Sequence, residues 1–175
     1  MKTFIDTISW REYSIQELFG KTLNGKYHSP NNLYEDENGY PYICASKDNN
    51  GINKKMPRVN GKEIVLTPSN IIAWGKQCPY FFYHNEPCVT AQGMYFLDMT
   101  GHSKYVCLFI CAILTNQCDG KYDYADNLIG TVMDKIKIKL PSSGNKPDWN
   151  YMENFMISLE SKAKRKIDEI NCILT

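Results

Sequence analysis

Several signatures of catalysis are missing from this sequence. No G-x-G-x-x-G and no G-x-x-x-x-G-K-[ST] occurs, so no loop is a candidate backbone cradle for a phosphate. The same lack excludes the glycine fingerprint of the cofactor-binding βαβ unit that an adenine methyltransferase needs. The three histidines, His28, His84 and His102, sit in separate polar contexts without G-x-S-x-G or H-E-x-x-H around them. There is no long apolar run: residues 105–114, the most apolar stretch, are about half of a membrane span. The N-terminus carries Asp6 where a signal peptide's apolar stretch would run. Repeats and low-complexity tracts are absent. The expectation is a cytoplasmic, non-membrane protein without cofactor or catalytic set.

Cysteine is plentiful, at 44, 78, 88, 107, 111, 118 and 172, but the count is odd and no CxxC pair occurs. A zinc site wants paired short spacings. On a helix, Cys107 and Cys111 share a face with Phe109, Ile110 and Leu114, which reads as core thiols and no metal. Cys78 or Cys88 with His84 would make a nucleophile–base pair, on sequence proximity alone. Asp148 with Glu160-Ser161-Lys162 imitates a nuclease metal signature. Twelve residues along one helix put those acids roughly 18 Å apart, too far to share an ion.

What is present is an ordinary globular composition, 43% apolar and 22% charged, sized for one domain with a real core. The net charge of +1 hides alternating blocks: −2 over residues 1–45, +4 over 46–77, −4 over 78–134 and +3 over 135–175. A local polyanion contact is one reading of this, and a solvated lysine face is the other.

Alternation around Trp10 and Tyr13 suits a strand, followed by a helical turn ending at Phe19-Gly20. Residues 24–39 are rich in Asn, Gly, Ser and Pro and read mostly as loop. Residues 40–46 read as a strand, and 47–55 as a polar turn segment with Asn50-Gly51 at its centre. Short strands are expected over 63–66, 71–74, 80–83 and 94–97. Residues 104–116, apolar nearly all round, predict a buried helix. Residues 135–140 alternate strictly and predict a half-exposed strand with lysines on one face. Residues 141–147 read as a linker.

From Asp148, which can cap it, a helix runs to the end. Apolar residues fall at 149, 152, 156, 159, 163, 167, 170 and 174, in steps of 3, 4, 3, 4, 4, 3 and 4. This is a heptad seam with one extra step of four, and it needs a partner. The fold class expected is mixed α/β (α+β). Residues 1–147 form a single globular domain of short strands with a buried helix, and 148–175 a C-terminal spacer helix.

Three segments carry a family resemblance. They are Trp10-Arg11-Glu12-Tyr13 leading to Glu17-Leu18-Phe19, then Gly39-Tyr40-Pro41-Tyr42-Ile43-Cys44-Ala45-Ser46 followed by Asn49-Asn50-Gly51-Ile52, and last Ile136-Lys137-Ile138-Lys139-Leu140-Pro141 running on to Lys146-Pro147-Asp148-Trp149-Asn150-Tyr151-Met152-Glu153. In order and spacing the chain resembles the target recognition domain of type I restriction–modification specificity subunits and their type II relatives. The resemblance implies a non-catalytic domain that reads half of a split double-stranded DNA target. Its long helix would set the distance to a second recognition domain and dock on a DNA adenine methyltransferase subunit, with a restriction subunit as a further partner. A full specificity subunit resembles two copies of this sequence, so a homodimer or a pairing with a second recognition domain is implied.

Asn, Gln, Lys and Arg are the side chains that read base edges and phosphates. Lys47, Asn49, Asn50, Asn53, Lys54, Lys55 and Arg58 supply them in one stretch, with Lys76 and Gln77 at a second turn; the bland reading is a solvated loop. The assembly helix would use Trp149, Met152, Met156, Leu159, Ile167, Ile170 and Leu174. Two other classes stay open: an interaction module that blocks a methyltransferase, and a small cysteine hydrolase.

Overall fold

The computed structural model describes residues 7, 10–29, 35–56 and 64–174, with side chains to residue 172. The chain begins with β1 (Arg11–Ser14) and the short α1 (Ile15–Phe19). Ser14 closes a capping box: its Oγ accepts from Glu17 N at 3.2 Å while the Glu17 carboxylate reaches back to Ser14 N. Gly20, at φ +75°, ends the helix in a conformation that other residues rarely adopt.

The centre is a four-stranded antiparallel sheet: β2 (Leu23–Asn24), β8 (Met94–Asp98), β5 (Ile71–Gly75) and β6 (Cys78–His84), in that spatial order. β5 is buried on both faces, and its period of two splits it between two cores. Ile72 and Trp74 face a large core closed by α2 (Lys104–Cys118), while Ile71 and Ala73 join Ile43, Cys88, Met94 and Phe96 on the other side. That second side is covered by a smaller sheet of β4 (Ile52–Met56), β3 (Tyr40–Ile43) and β7 (Val89–Thr90). Trp74 satisfies its buried indole N–H on the Leu128 carbonyl at 3.0 Å.

After α2 come α3 (Gly130–Met133) and β9 (Lys137–Leu140), which pairs antiparallel with β1. Tyr13, Ile138 and Leu140 thereby enter the large core, and Lys137 and Lys139 stay on the open face. A small hairpin of β10 (Ser142–Ser143) and β11 (Lys146–Pro147) leads into α4 (Trp149–Leu174). Asp148 Oδ1 accepts from Tyr151 N at 2.9 Å, the capping bond expected of it.

Four expectations need correction. Residues 52–56 are a strand, because their backbone pairs with β3 although Asn53, Lys54 and Lys55 have poor strand propensity. Residues 64–66 form no strand; only Thr67, in an isolated bridge to Cys88, joins a ladder, and Glu63 lies outside the described residues. Residues 141–147 are a hairpin turning at Gly144, whose φ is +62°. The helix of residues 104–118 is not enclosed all round, since Leu108 and Ala112 are exposed.

Candidate nucleic-acid interface

Between β3 and β4 the chain makes a tight turn. Cys44 N donates to Gly51 O and Gly51 N to Asp48 O, both at 2.9 Å. Asn49, Asn50 and Gly51 all take positive φ, at 46°, 53° and 73°. Asn is one of the few residues with a side chain that tolerates this region. The Asn49 side-chain amide donates to Ile52 O at 2.9 Å, so one of its N–H groups is spent on holding the turn. Lys47, Asn49 and Asn50 are exposed along it.

The β5–β6 turn, carrying Lys76 and Gln77, lies against this one. A Cβ at Gly75 would fall 2.3 Å from the Ala45 Cβ, so only glycine allows the approach. Burial pushes the Cys78 thiol up, and nearby Lys47 pulls partly against it, which puts the two turns within electrostatic reach. The Lys76 stem packs over Gly93, and its backbone is bonded on both sides, N–H to Gly93 O at 3.0 Å and carbonyl to Leu128 N at 2.8 Å. Lys47, Asn49, Asn50, Lys76 and Gln77 are therefore gathered at one end of the two sheets, on turns fixed by their own backbone bonds.

The other expected residues are placed differently. Asn53, Lys54 and Lys55 run along β4, an edge strand, and share an open groove with Glu35, Asp36 and Glu37. Lys54 Nζ lies 3.9 Å from Glu35 Oε1, and Asp36 N donates to Lys55 O at 3.1 Å. The stretch expected to act as one basic block is thus split into a turn cluster and a strand whose lysines face acids. Arg58 lies outside the described residues. Along β9, Lys137 pairs with Glu12 at 3.3 Å, and Lys139 sits opposite Glu12 in register.

On α4 the seam changes character midway. Met152 is 0% exposed, and Trp149, Phe155 and Met156 are half-buried against the large core. Trp149 packs on His102 with ring centroids 4.6 Å apart and on Phe19 at 6.2 Å, while Phe155 meets Phe109 edge-on at 5.9 Å. Leu159 is 50% exposed, Ile167 57% and Ile170 56%; Leu174 lies beyond the described side chains. Sequence spacing missed Phe155, which lies between two seam positions, and Glu160, a surface acid. The Glu160 carboxylate accepts from Tyr105 Oη at 2.8 Å, a bond that no spacing rule reveals.

The cysteine–histidine pair has the wrong electrostatics for a nucleophile and base. Burial pushes the Cys88 thiol up to about 12 and His84 down to about 4, so both neutral forms are favoured where a thiolate–imidazolium pair would need the charged ones. Cys107 and Cys111 are buried in the core as expected. Among the described residues no group of three or more His, Cys, Asp or Glu could hold a metal, and no helix is long and apolar enough to cross a membrane.

Comparison with known proteins agrees with this architecture. Residues 8–171 match the family model described as the type I restriction modification DNA specificity domain. The chain is 25% identical to the specificity subunit of the type II restriction enzyme BgcI from Heyndrickxia coagulans, over 92% of this chain and 47% of that one. It therefore spans about half the length of the curated relative it matches. Among solved structures, 95% of the chain superposes on 44% of the S subunit of a type I restriction–modification system from M. genitalium, with a TM-score of 0.58 at 15% identity. For the HsdS subunit from Thermoanaerobacter tengcongensis the TM-score is 0.58 at 10% identity, over 94% of this chain and 41% of that one. At these identities the likeness is one of fold.

Proposed function

The chain belongs to the type I restriction modification DNA specificity domain family, and from that premise we propose that it is a single target recognition domain, a half-length specificity unit that reads one half of a split double-stranded DNA target. The observation that carries this reading is the meeting of the two polar turns, with Lys47, Asn49, Asn50, Lys76 and Gln77 exposed or half-exposed at one end of a rigid double sheet. Amides and lysines on fixed turns suit base edges and phosphates, because little side-chain and loop order remains to be imposed on binding. Lys54 and Lys55 are secondary, since the acids across their groove already offset their charge.

In this reading the domain itself performs no chemistry. It brings a DNA adenine methyltransferase subunit, and with it a restriction subunit, to the half-site in the cytoplasm. The outer seam of α4, through Leu159, Ile167, Ile170 and Leu174, pairs with the helix of a second recognition domain from another copy or another chain.

Titrating the full chain with a mixed-sequence DNA duplex at several salt concentrations tests the interface. Replacing Lys47 and Lys76 by alanine should weaken binding and lower the log–log salt slope by roughly 0.9 for each phosphate that is no longer neutralised. Replacing Lys54 and Lys55 should have a smaller effect. An unchanged slope in the Lys47/Lys76 variant moves the DNA surface to Lys135, Lys137 and Lys139, and no salt-dependent binding at all favours the interaction-module reading.

A further inference from the structure

Among the described contacts, Glu160 is the last point at which α4 touches the domain. One of its carboxylate oxygens accepts from Tyr105 Oη at 2.8 Å and lies 3.5 Å from Lys164 Nζ; the other lies 3.6 Å from Lys104 Nζ. Tyr105 and Lys104 belong to the first turn of α2, and Lys104 Nζ also lies 4.7 Å from the Tyr105 ring centroid. Before Glu160 the helix is held by apolar packing through Trp149, Met152, Phe155 and Met156. After it, residues 161–172 are all exposed. Glu160 is also the one acid of α4 that bridges to another helix among the described ion pairs; Arg165–Glu169 stays within α4.

We infer that Glu160 is a positioning residue, which by gripping Tyr105 and Lys104 fixes the direction in which the outer half of α4 leaves the domain. Exposed ion pairs contribute little stability, so the effect to look for is geometric. The outer half is a lever: Glu160 to Cys172 spans about 18 Å at 1.5 Å per residue, and a swing of about 20° carries its end through about 6 Å. Apolar packing ends a turn earlier and does not by itself constrain that last turn, whereas a carboxylate shared by a hydroxyl and an ammonium is directional. The consequence for half-site spacing rests on the reading of α4 as a spacer; the positioning itself does not.

The test is a distance distribution between spin labels at Cys172 and at position 139, in the full chain carrying Lys139→Cys. Cys44→Ala and Cys78→Ala remove the other accessible thiols, and Ile167→Lys with Ile170→Lys keeps every sample monomeric. Glu160→Ala and Tyr105→Phe should each broaden the distribution and shift its mean by several ångströms, with the melting temperature nearly unchanged. Glu160→Gln, which can still accept from Tyr105, should recover part of the narrow distribution. Distributions identical to the parent's in both Glu160→Ala and Tyr105→Phe would show that apolar packing alone sets the direction, and would overturn the inference. Since neither DNA nor a partner is present, that result would leave the DNA-reading function standing.

Discussion

The inner and outer halves of α4 share one helix and one apolar seam, yet they live in different environments. From Trp149 to Met156 the seam is part of the domain, with Met152 fully buried and aromatic contacts to His102, Phe19 and Phe109, whereas Leu159 is already half exposed. From residue 161 onward every described side chain is exposed, Ile167 and Ile170 included. Periodicity therefore identifies which residues can be buried together, and the span of the domain decides which of them are. The domain covers the first three turns and then ends. In the proposed reading, the part of the seam that continues past the described packing, across its one extra step of four, is a surface for another helix.

The two halves should respond differently when one seam residue is removed from each. Met152→Ala should cost about 2–5 kcal/mol, because it deletes a fully buried side chain and leaves a cavity between α4 and the core. Ile170→Ala should cost less than about 0.5 kcal/mol in the monomer, being a surface change away from any buried contact. Urea denaturation of the two variants measures both. Equal losses would mean that the outer half is packed in solution, contrary to its exposure.

Much of this was legible in the sequence because the signals are local. The Asp148 cap, the three-and-four spacing of α4, the alternation of β9 and the helical turn ending at Phe19-Gly20 each depend on residues within one or two turns of one another. What was hidden depends on distant partners. β4 reads as a polar turn because Asn53, Lys54 and Lys55 fit no hydrophobic pattern; only their backbone pairing with β3 makes them a strand, and the Asn50-Gly51 turn before them was the one available hint. The acids at 35–37 that face Lys54 and Lys55 come from a loop about twenty residues earlier, so charge counted along the chain shows a basic block that folding partly cancels. Residues 64–66 show the converse, apolar enough for a strand but without a pairing strand among the described residues. The joining of the Lys47 and Lys76 turns hinges on Gly75 fitting against Ala45, a close approach that neither residue announces alone.

A second contrast between the halves is chemical. The inner half is packed on a titratable group of the body, His102, through Trp149. His102, packed between Phe19 and Trp149, is held below its ordinary value by burial, and His84 in the sheet is held at about 4. A histidine depressed in this way binds fewer protons folded than unfolded. Its contribution is whole above the ordinary value of 6.5 and is lost as pH falls through the folded value. For His84 the loss between pH 6.5 and about 4 is on the order of 3 kcal/mol, at about 1.4 kcal/mol per unit. The melting temperature should fall across that window, less steeply in His84→Leu, and His102→Phe should flatten the part due to the Trp149 contact. The chain cut after residue 160 should show the same pH dependence as the full chain. A different dependence would tie the outer half to the body.

The smallest expected effect on stability is also the one that decides what the outer half is for. Deleting residues 161–175 removes no buried side chain among those described, and it removes only one of the cations around Glu160. An exposed ion pair of that kind is worth little, so the melting temperature should stay nearly intact. The helix would still begin at the Asp148 cap and retain Trp149, Met152, Phe155 and Met156 against the core. What should vanish is self-association or partner binding, because Ile167 and Ile170 leave with the deleted segment and Leu159 alone is too small a patch to hold a helix. Sedimentation of the full and shortened chains across a range of concentrations reads this directly. A seam that pairs in solution gives a concentration-dependent larger species only for the full chain, and Ile167→Lys with Ile170→Lys should abolish it without any truncation. If the shortened chain unfolds while the full chain is monomeric at every concentration and binds no partner, the outer half serves its own domain and the assembly role is wrong.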